Sequence, residues 1–369
     1  MLNPHKTNFY IRFKKTCLAL ALGFGFINSS VAADAVIATE KQLLAGLTAL
    51  NQLQIEQAVA KFAELGHTNP KYKLAHLIKA DLLSAKSGQG HIMASMHERH
   101  RKDVDKLLSE AEVRWQFANV AFTTKSGFDD FVLKSAEQKH IMVVNLQKSR
   151  LYLYERDANK QMKQVVDYYV TIGRKGSGKE REGDLRTPIG VYHLVDLLPG
   201  DTLPDLYGVG ALPLNYPNEW DRKNGKTGSG IWLHGVPSNT YIRPPKSTRG
   251  CVVLSNDAME KLLSKYDLPF STPIIIADEK ASDFGFVENK HAVLDGVQAW
   301  LKDNEHKVDW DKVSVYRYPS EKNLFYVTFP SGKGKTLVHQ FWEKDMQGYW
   351  KVVLESHDTL QSSSKKPSA

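Results

Sequence analysis

The chain has 369 residues and a formal net charge of +8, a length that suits two or three domains. Lys6, Arg12, Lys14 and Lys15 sit near the N-terminus with no acidic neighbours, so removing those four from +8 leaves +4 for the rest. So mild a balance fits contact with an anionic wall polymer or a membrane surface, and with no basic–aromatic motif the sequence gives no reason to expect a nucleic-acid partner.

The four basic residues precede an apolar run from Cys17 to Ile27, and Ser29-Ser30-Val31-Ala32-Ala33 offers small residues for cleavage. Residues 1–33 read as a secretory signal peptide. The run is shorter than the ~20 residues of a membrane span, and Lys14-Lys15-Thr16 before Cys17 is no lipoprotein cleavage box. No later segment is long and apolar enough to span, so the mature chain is expected to be soluble and outside the cytoplasm.

Residues 34–135 form the next region, helical in pattern up to about Phe122. Leu43, Leu47 and Leu50 recur at helical spacing, Ala58, Phe62 and Leu65 continue a second stripe, and Leu74, Leu77, Ile78 and Leu82 a third. The break at Asn69-Pro70 between two such helices resembles a single tetratricopeptide-like hairpin. From His140 the period changes to that of strands. Ile141 to Leu146 and Leu151 to Tyr154, around Gln147-Lys148-Ser149, make a hairpin signature. Further strands are expected at Val165–Gly173, Thr187–Leu194, Ile231–His234 and Thr272–Ala277, with a short amphipathic helix over Asn256–Tyr266. Residues 140–278 therefore read as one strand-rich domain. Residues 285–357 read as a small α+β module: a helix near Asn289–Asn304, then strands at Val313–Tyr318, Leu324–Phe329, Val338–Trp342 and Tyr349–Leu354. Residues 358–369 read as a disordered tail rich in Ser and Lys. The fold class is α+β and multidomain.

Cys251 is the one cysteine left once Cys17 is removed with the signal, and a lone thiol in an exported protein has no disulfide partner. His234 lies upstream in Trp232-Leu233-His234-Gly235, at the end of a strand, and Cys251 precedes a helix. Such a pair can form a thiolate nucleophile with an imidazole base. The Gly235 carbonyl is a candidate to hold the second ring nitrogen of His234. Gly250 permits close backbone approach, and the amides of Gly250 and Cys251 are candidate oxyanion donors. A buried, inert thiol is the competing reading at this point.

Three ordered motifs then resemble the L,D-transpeptidase catalytic domain of the YkuD type: Thr187-Pro188-Ile189-Gly190, Ile231-Trp232-Leu233-His234-Gly235 and Thr248-Arg249-Gly250-Cys251. The resemblance implies that Cys251 attacks the third residue of a peptidoglycan stem tetrapeptide, that His234 serves as base and then acid for the departing D-alanine, and that the thioester passes to an amine acceptor. The same site with water in place of the amine is an L,D-carboxypeptidase or a hydrolase releasing a wall-anchored lipoprotein. A wall-binding protein with a dead site is the remaining alternative. No metal or organic cofactor is implied. The implied partners are stem peptides, with a wall-anchored lipoprotein or other cell-wall enzymes as further candidates, and the implied location is the periplasm.

Arg249 stands where the family often has His, and Val253 where it often has a polar residue, so substrate contacts are sought in Arg249, Thr248, Arg243, Tyr241 and Trp232. Leu197–Gly230, with Tyr207, Tyr216 and Trp220, is the candidate lid. The last module resembles nuclear-transport-factor-like domains appended to some such enzymes, as an accessory pocket or a structural element. Gly173 to Lys179 imitates a phosphate-binding loop but lacks the following Ser or Thr, and reads as a basic turn. His91, His97 and His100 are too few for zinc and read as a solvated helix face.

Overall fold

The computed structural model describes residues 35–120, 128–278, 290–303, 308–331, 336–344 and 347–359. The expected signal peptide at 1–33 lies outside the described residues. The chain divides into two compact units, Met1–Asn119 and Val120–Ala369. No helix among the described residues is long and apolar enough to cross a membrane.

The first unit holds α1 (Ala35–Asn51), α2 (Ile55–Thr68), α3 (Lys73–Lys86) and α4, which runs from Ile92 to Val120. Leu43, Leu47 and Leu50 of α1, Phe62 and Leu65 of α2, and Leu74, Ile78 and Leu82 of α3 are all buried, as their spacing by threes and fours requires. Gly46 lets α2 close on α1, since a Cβ there would stand 2.9 Å from the Phe62 ring. α2 and α3 form the hairpin around Asn69-Pro70. Asp81 of α3 is buried and accepts from Met93 N at 2.8 Å, satisfying a free amide in the first turn of α4. The histidines have partners of their own: His91 Nδ1 meets Asp81 at 2.9 Å and His97 Nε2 meets Asp105 at 3.0 Å, while the helix kinks at His100.

The second unit opens with a short helical turn, α5 (Phe128–Phe131), and β1 (Val132–Lys134). Then come the hairpin β2 (His140–Asn145) and β3 (Arg150–Arg156), then β4 (Met162–Tyr169), β5 (Ile172–Gly173) and β6 (Gly190–His193). β7 (Leu198–Pro199), β8 (Gly210–Pro213), α6 (Glu219–Lys223) and β9 (Trp232–His234) follow. β10 (Lys246–Thr248), β11 (Val252–Val253), α7 (Asn256–Lys265) and β12 (Pro273–Ala277) complete this part. The main sheet has the order β4-β3-β2-β12-β6, with β12 parallel to β2 and the other pairs antiparallel. Its central strands read Ile141-Met142-Val143-Val144 and Ile274-Ile275-Ile276 and are buried on both faces, which a continuous apolar run favours over alternation. The β2–β3 turn is set by Asn145 Oδ1, which accepts from Lys148 N at 2.9 Å, and by Ser149 at φ +51°.

A smaller sheet, β11-β9-β8-β7, stands apart from the main one, and β5 pairs in parallel with β10. The single strand expected at Val165–Gly173 is thus divided between β4 and β5, and β7 and β8 lie inside the stretch read as loop.

After this part come α8 (Lys290–Asp303), β13 (Ser314–Arg317), β14 (Leu324–Ser331), β15 (Thr336–Lys344) and β16 (Trp350–Thr359). They form an antiparallel sheet in the order β1-β13-β14-β15-β16. Val293, Val297 and Leu301 of α8 pack on Leu133, Val315, Phe325, Val327 and Trp342. The alternate residues face the other way, onto the preceding part of the unit. There Phe341 stacks on Trp220 at 5.6 Å, His339 on His193 at 5.4 Å, and Tyr318 accepts from Asn218 Nδ2 at 3.1 Å.

Two expected boundaries are corrected. The helical region does not extend to 135: Val132–Lys134 is extended and joins β13 as an edge strand, where Val132 and Leu133 are both buried, Leu133 under α8. The tail does not begin at 358: Asp358 and Thr359 end β16, paired with Leu337 and Thr336. Residues 360–369 lie outside the described ones.

Candidate active site

β9 and β11 run in parallel, with Val252 beside Leu233 and Val253 beside His234. Continuing that register one residue back sets Cys251 beside Trp232. Alternation then puts Trp232, His234 and Cys251 on one face of the small sheet. The segment before Cys251 is held from several sides. Arg174 N donates to Thr248 O at 2.9 Å, and Ile172 N to Pro245 O at 2.9 Å. Thr187 is fully buried; its Oγ1 donates to Gly250 O at 2.9 Å and accepts from Gly173 N at 2.9 Å. The Thr-Pro motif is therefore a brace for the cysteine loop.

Gly250 sits at φ +137°, and a Cβ would fall 2.7 Å from Arg186 O, so only glycine fits. Its amide is not free for an oxyanion, because it donates to Thr248 Oγ1 at 3.1 Å. That corrects its expected part. Thr248, expected at the substrate, is buried instead and also donates to Cys251 O at 2.8 Å, closing the loop on itself. A hydroxyl two residues before a glycine amide finds that local donor before any ligand.

The imidazole of His234 is buried, and its Nδ1 lies 2.7 Å from Gly235 O. A carbonyl only accepts, so Nδ1 carries the proton and Nε2 keeps its lone pair. Tyr207 packs edge-on against the ring with centroids 5.0 Å apart and tilts over Trp232 at 4.8 Å. The His234 pKa is lowered to about 4, chiefly by burial, which the Gly235 carbonyl opposes and the nearby Arg243 guanidinium reinforces.

The Cys251 thiol is half-exposed and donates to Gly230 O at 3.4 Å rather than to His234. Burial on its protein side raises its pKa, while the Trp232 amide and the charges of Arg243 and Lys179 pull it down. At neutral pH the resting pair is a thiol and a neutral imidazole.

Arg243 thus joins Cys251, His234, Gly235 and Trp232 in one cleft, its backbone fastened by Tyr169, whose hydroxyl donates to Arg243 O at 3.2 Å. Tyr241 is half-buried on the same loop, and Arg249 is exposed. Of the expected lid, Tyr207 reaches the site. Tyr216 and Trp220 are buried elsewhere, and α6 is anchored by a capping box between Asn218 and Asp221. The stretch is thus part sheet and part interface rather than one flap.

Several residues of the site were not signalled by sequence. Gly230 contributes only a carbonyl. Lys179, in the turn that imitates a phosphate loop, points inward and pairs with Asp184 at 3.0 Å. Partial burial raises the Asp184 carboxyl, but three backbone amides and Lys179 outweigh it and bring the pKa down to about 2. Asn256 accepts from Val236 N at 3.0 Å.

Among solved structures, the chain is similar to Bd1075 from Bdellovibrio bacteriovorus, at 22% identity over 63% of this chain and 98% of that one, with a TM-score of 0.44. It is similar also to the helical cell shape determining protein Pgp2 from Campylobacter jejuni, at 20% identity over 62% and 95%, with a TM-score of 0.44. An L,D-transpeptidase from Xylanimonas cellulosilytica matches at 21% identity over 44% and 69%, with a TM-score of 0.28. Among curated proteins none matches the sequence. The family match covers the braced cysteine loop, the histidine strand and the main sheet together: residues 139–276 match the model of the L,D-transpeptidase catalytic domain of the YkuD family.

Proposed function

We propose that the protein is a peptidoglycan L,D-transpeptidase, exported to the periplasm, in which Cys251 is the nucleophile and His234 the general base. The observation that carries this reading is the Nδ1–H bond of His234 to Gly235 O, which leaves Nε2 as the basic atom on the face that also bears the thiol. Rotation of the Cys251 side chain away from Gly230 hands the Sγ proton to Nε2. The thiolate adds to the carbonyl carbon of the third residue of a stem tetrapeptide. As the tetrahedral adduct collapses, the C–N bond to D-alanine breaks and its nitrogen takes the proton from Nε2. An amine from a second stem then attacks the thioester, gives its proton to Nε2, and the proton returns to sulfur as the new amide forms.

Arg243 supplies positive charge where the thiolate forms and where the terminal carboxylate of D-alanine would lie. Trp232 and Tyr207 wall the cleft, and the Trp232 amide faces the sulfur. The helix-backed sheet of α8 and β13–β16 is in this reading a nuclear-transport-factor-like module that assists the catalytic domain.

The test is to incubate purified protein with disaccharide-tetrapeptide and identify products by mass spectrometry. The expected product is a dimer linked between third residues, absent with Cys251→Ala. Tripeptide alone would make the enzyme an L,D-carboxypeptidase. Turnover by Cys251→Ala, or none by the wild type, would refute the reading.

A further inference from the structure

Asn256 has no part in the chemistry above, yet its side chain lies against the histidine loop. Its carboxamide oxygen accepts two backbone amides, Val236 N at 3.0 Å and Val209 N at 3.4 Å. Both partners are donors, which only the oxygen can serve, so the neighbours define the orientation of the group. Two glycines make room for it: a Cβ at Gly235 would stand 2.2 Å from this oxygen, and one at Gly208 2.1 Å. Asn256 is also the first residue of α7, whose N-cap Ser255 accepts from Ala258 N at 3.3 Å, so the side chain projects from a capped helix start.

The peptide group between Gly235 and Val236 connects these facts. It is planar, so its N–H and C=O point in opposite directions and turn together. The N–H end is Val236 N, held by Asn256; the C=O end is Gly235 O, which receives Nδ1–H of His234 at 2.7 Å. An acceptor on the N–H side fixes the direction of the carbonyl and polarises it as an acceptor. Glycine has no side chain to restrict rotation of that unit, so the restriction has to come from outside. On the preceding side Gly235 N donates to Tyr207 O at 3.0 Å, and Val209, the second donor to Asn256, lies two residues beyond Tyr207. One oxygen thus ties together the histidine loop and the turn that carries the Tyr207 ring.

We propose that Asn256 is a positioning residue for His234, orienting the imidazole through the Gly235–Val236 peptide group. Cys251, His234 and Asn256 then form a chain whose second and third members are joined by a backbone amide instead of a direct hydrogen bond. The inference rests on the reading of His234 as the base.

Heteronuclear NMR of the full-length protein with labelled histidine reads the His234 tautomer directly, with the signal assigned by its loss in His234→Gln. The wild type should show the Nδ1–H form. Asn256→Ala should shift His234 to a mixture of tautomers and lower kcat on muropeptide by on the order of tenfold or more, with KM within about twofold. Asn256→Asp keeps an oxygen for both amides, so it should retain the Nδ1–H form and lose less activity than Asn256→Ala. A folded Asn256→Ala protein that keeps the Nδ1–H form overturns the proposal. So does an Asn256→Asp protein that loses it, and that arm decides alone if the alanine variant does not fold. The tautomer is read without substrate, so a wild type inactive on muropeptide would sink the proposed function while the positioning of His234 is still decided by the spectrum.

Discussion

Replacing Thr187 by Val separates hydrogen bonding from shape at the brace behind Cys251. The two side chains have nearly the same outline, and the site is fully buried, so packing is unchanged. What is lost is Oγ1, which serves Gly250 O and Gly173 N, each at 2.9 Å. Two buried backbone groups are left without a partner, at about 1–3 kcal/mol each, roughly 2–6 kcal/mol in all. For a unit of this size each kcal/mol moves the thermal midpoint by about 2–4 °C, so Thr187→Val should melt roughly 4–24 °C below the wild type. Differential scanning calorimetry reads the shift. Thr187→Ser, which keeps the hydroxyl, is the control and should fall much less. A valine variant melting within about 1 °C of the wild type, or a serine variant falling as far as the valine one, would refute the view that this hydroxyl braces the loop.

Two further outcomes are expected. Burial, aided by Arg243 for His234 and by His339 for His193, holds both imidazoles near a pKa of about 4 against an ordinary 6.5. Both folded and unfolded chains are neutral at these positions above pH 6.5; between 6.5 and 4 only the unfolded chain takes up the protons. Stability should therefore fall as pH drops through that window, by on the order of 3 kcal/mol per histidine; urea midpoints at several pH values measure it, and a flat profile, or one that His234→Gln fails to flatten in part, would contradict buried neutral histidines. Trp220→Ala removes a buried ring stacked on Phe341 and should cost about 3–5 kcal/mol. A loss under about 1 kcal/mol in urea titration would mean that the contact between α6 and β15 does not hold the sheet in place.

The legible parts of this fold were those with a local signal. Ile141–Val144 and Ile274–Ile276 are too apolar for anything but central strands, and the Met259–Leu262 stripe marks a short amphipathic helix. The motif around His234 and Cys251 located the cleft because its spacing survives in a single sequence. Non-local pairings were not legible. β7 and β8 are short, and Pro199 and Pro213 disguise them as loop. Trp220 reads as a lid aromatic until Phe341, far along the chain, is seen beneath it. Thr248 reads as a substrate ligand because its neighbours define a catalytic box, yet the nearest donor and acceptor for its hydroxyl lie in that same box. Asn256 carries no motif at all; its meaning lies in two amides brought to it by the loops after β7 and β9.

The edge strand β1 has a consequence for how this protein can be taken apart. Lys134 Nζ donates to Val313 O at 2.9 Å, 179 residues on, so the chain leaves the sheet of β1 and β13–β16, builds the whole catalytic domain and returns to the sheet it left. The catalytic domain is thus an insertion with both ends stapled to one platform, and the platform is not an appendage. Truncation after Ala277 would uncover Val132 and Leu133 and leave a sticky strand edge. A clean excision has to remove residues on both sides of the domain at once. During synthesis β1 waits for partners that emerge only after the catalytic domain is complete, so closure of the platform is a late event that fastens a domain already built.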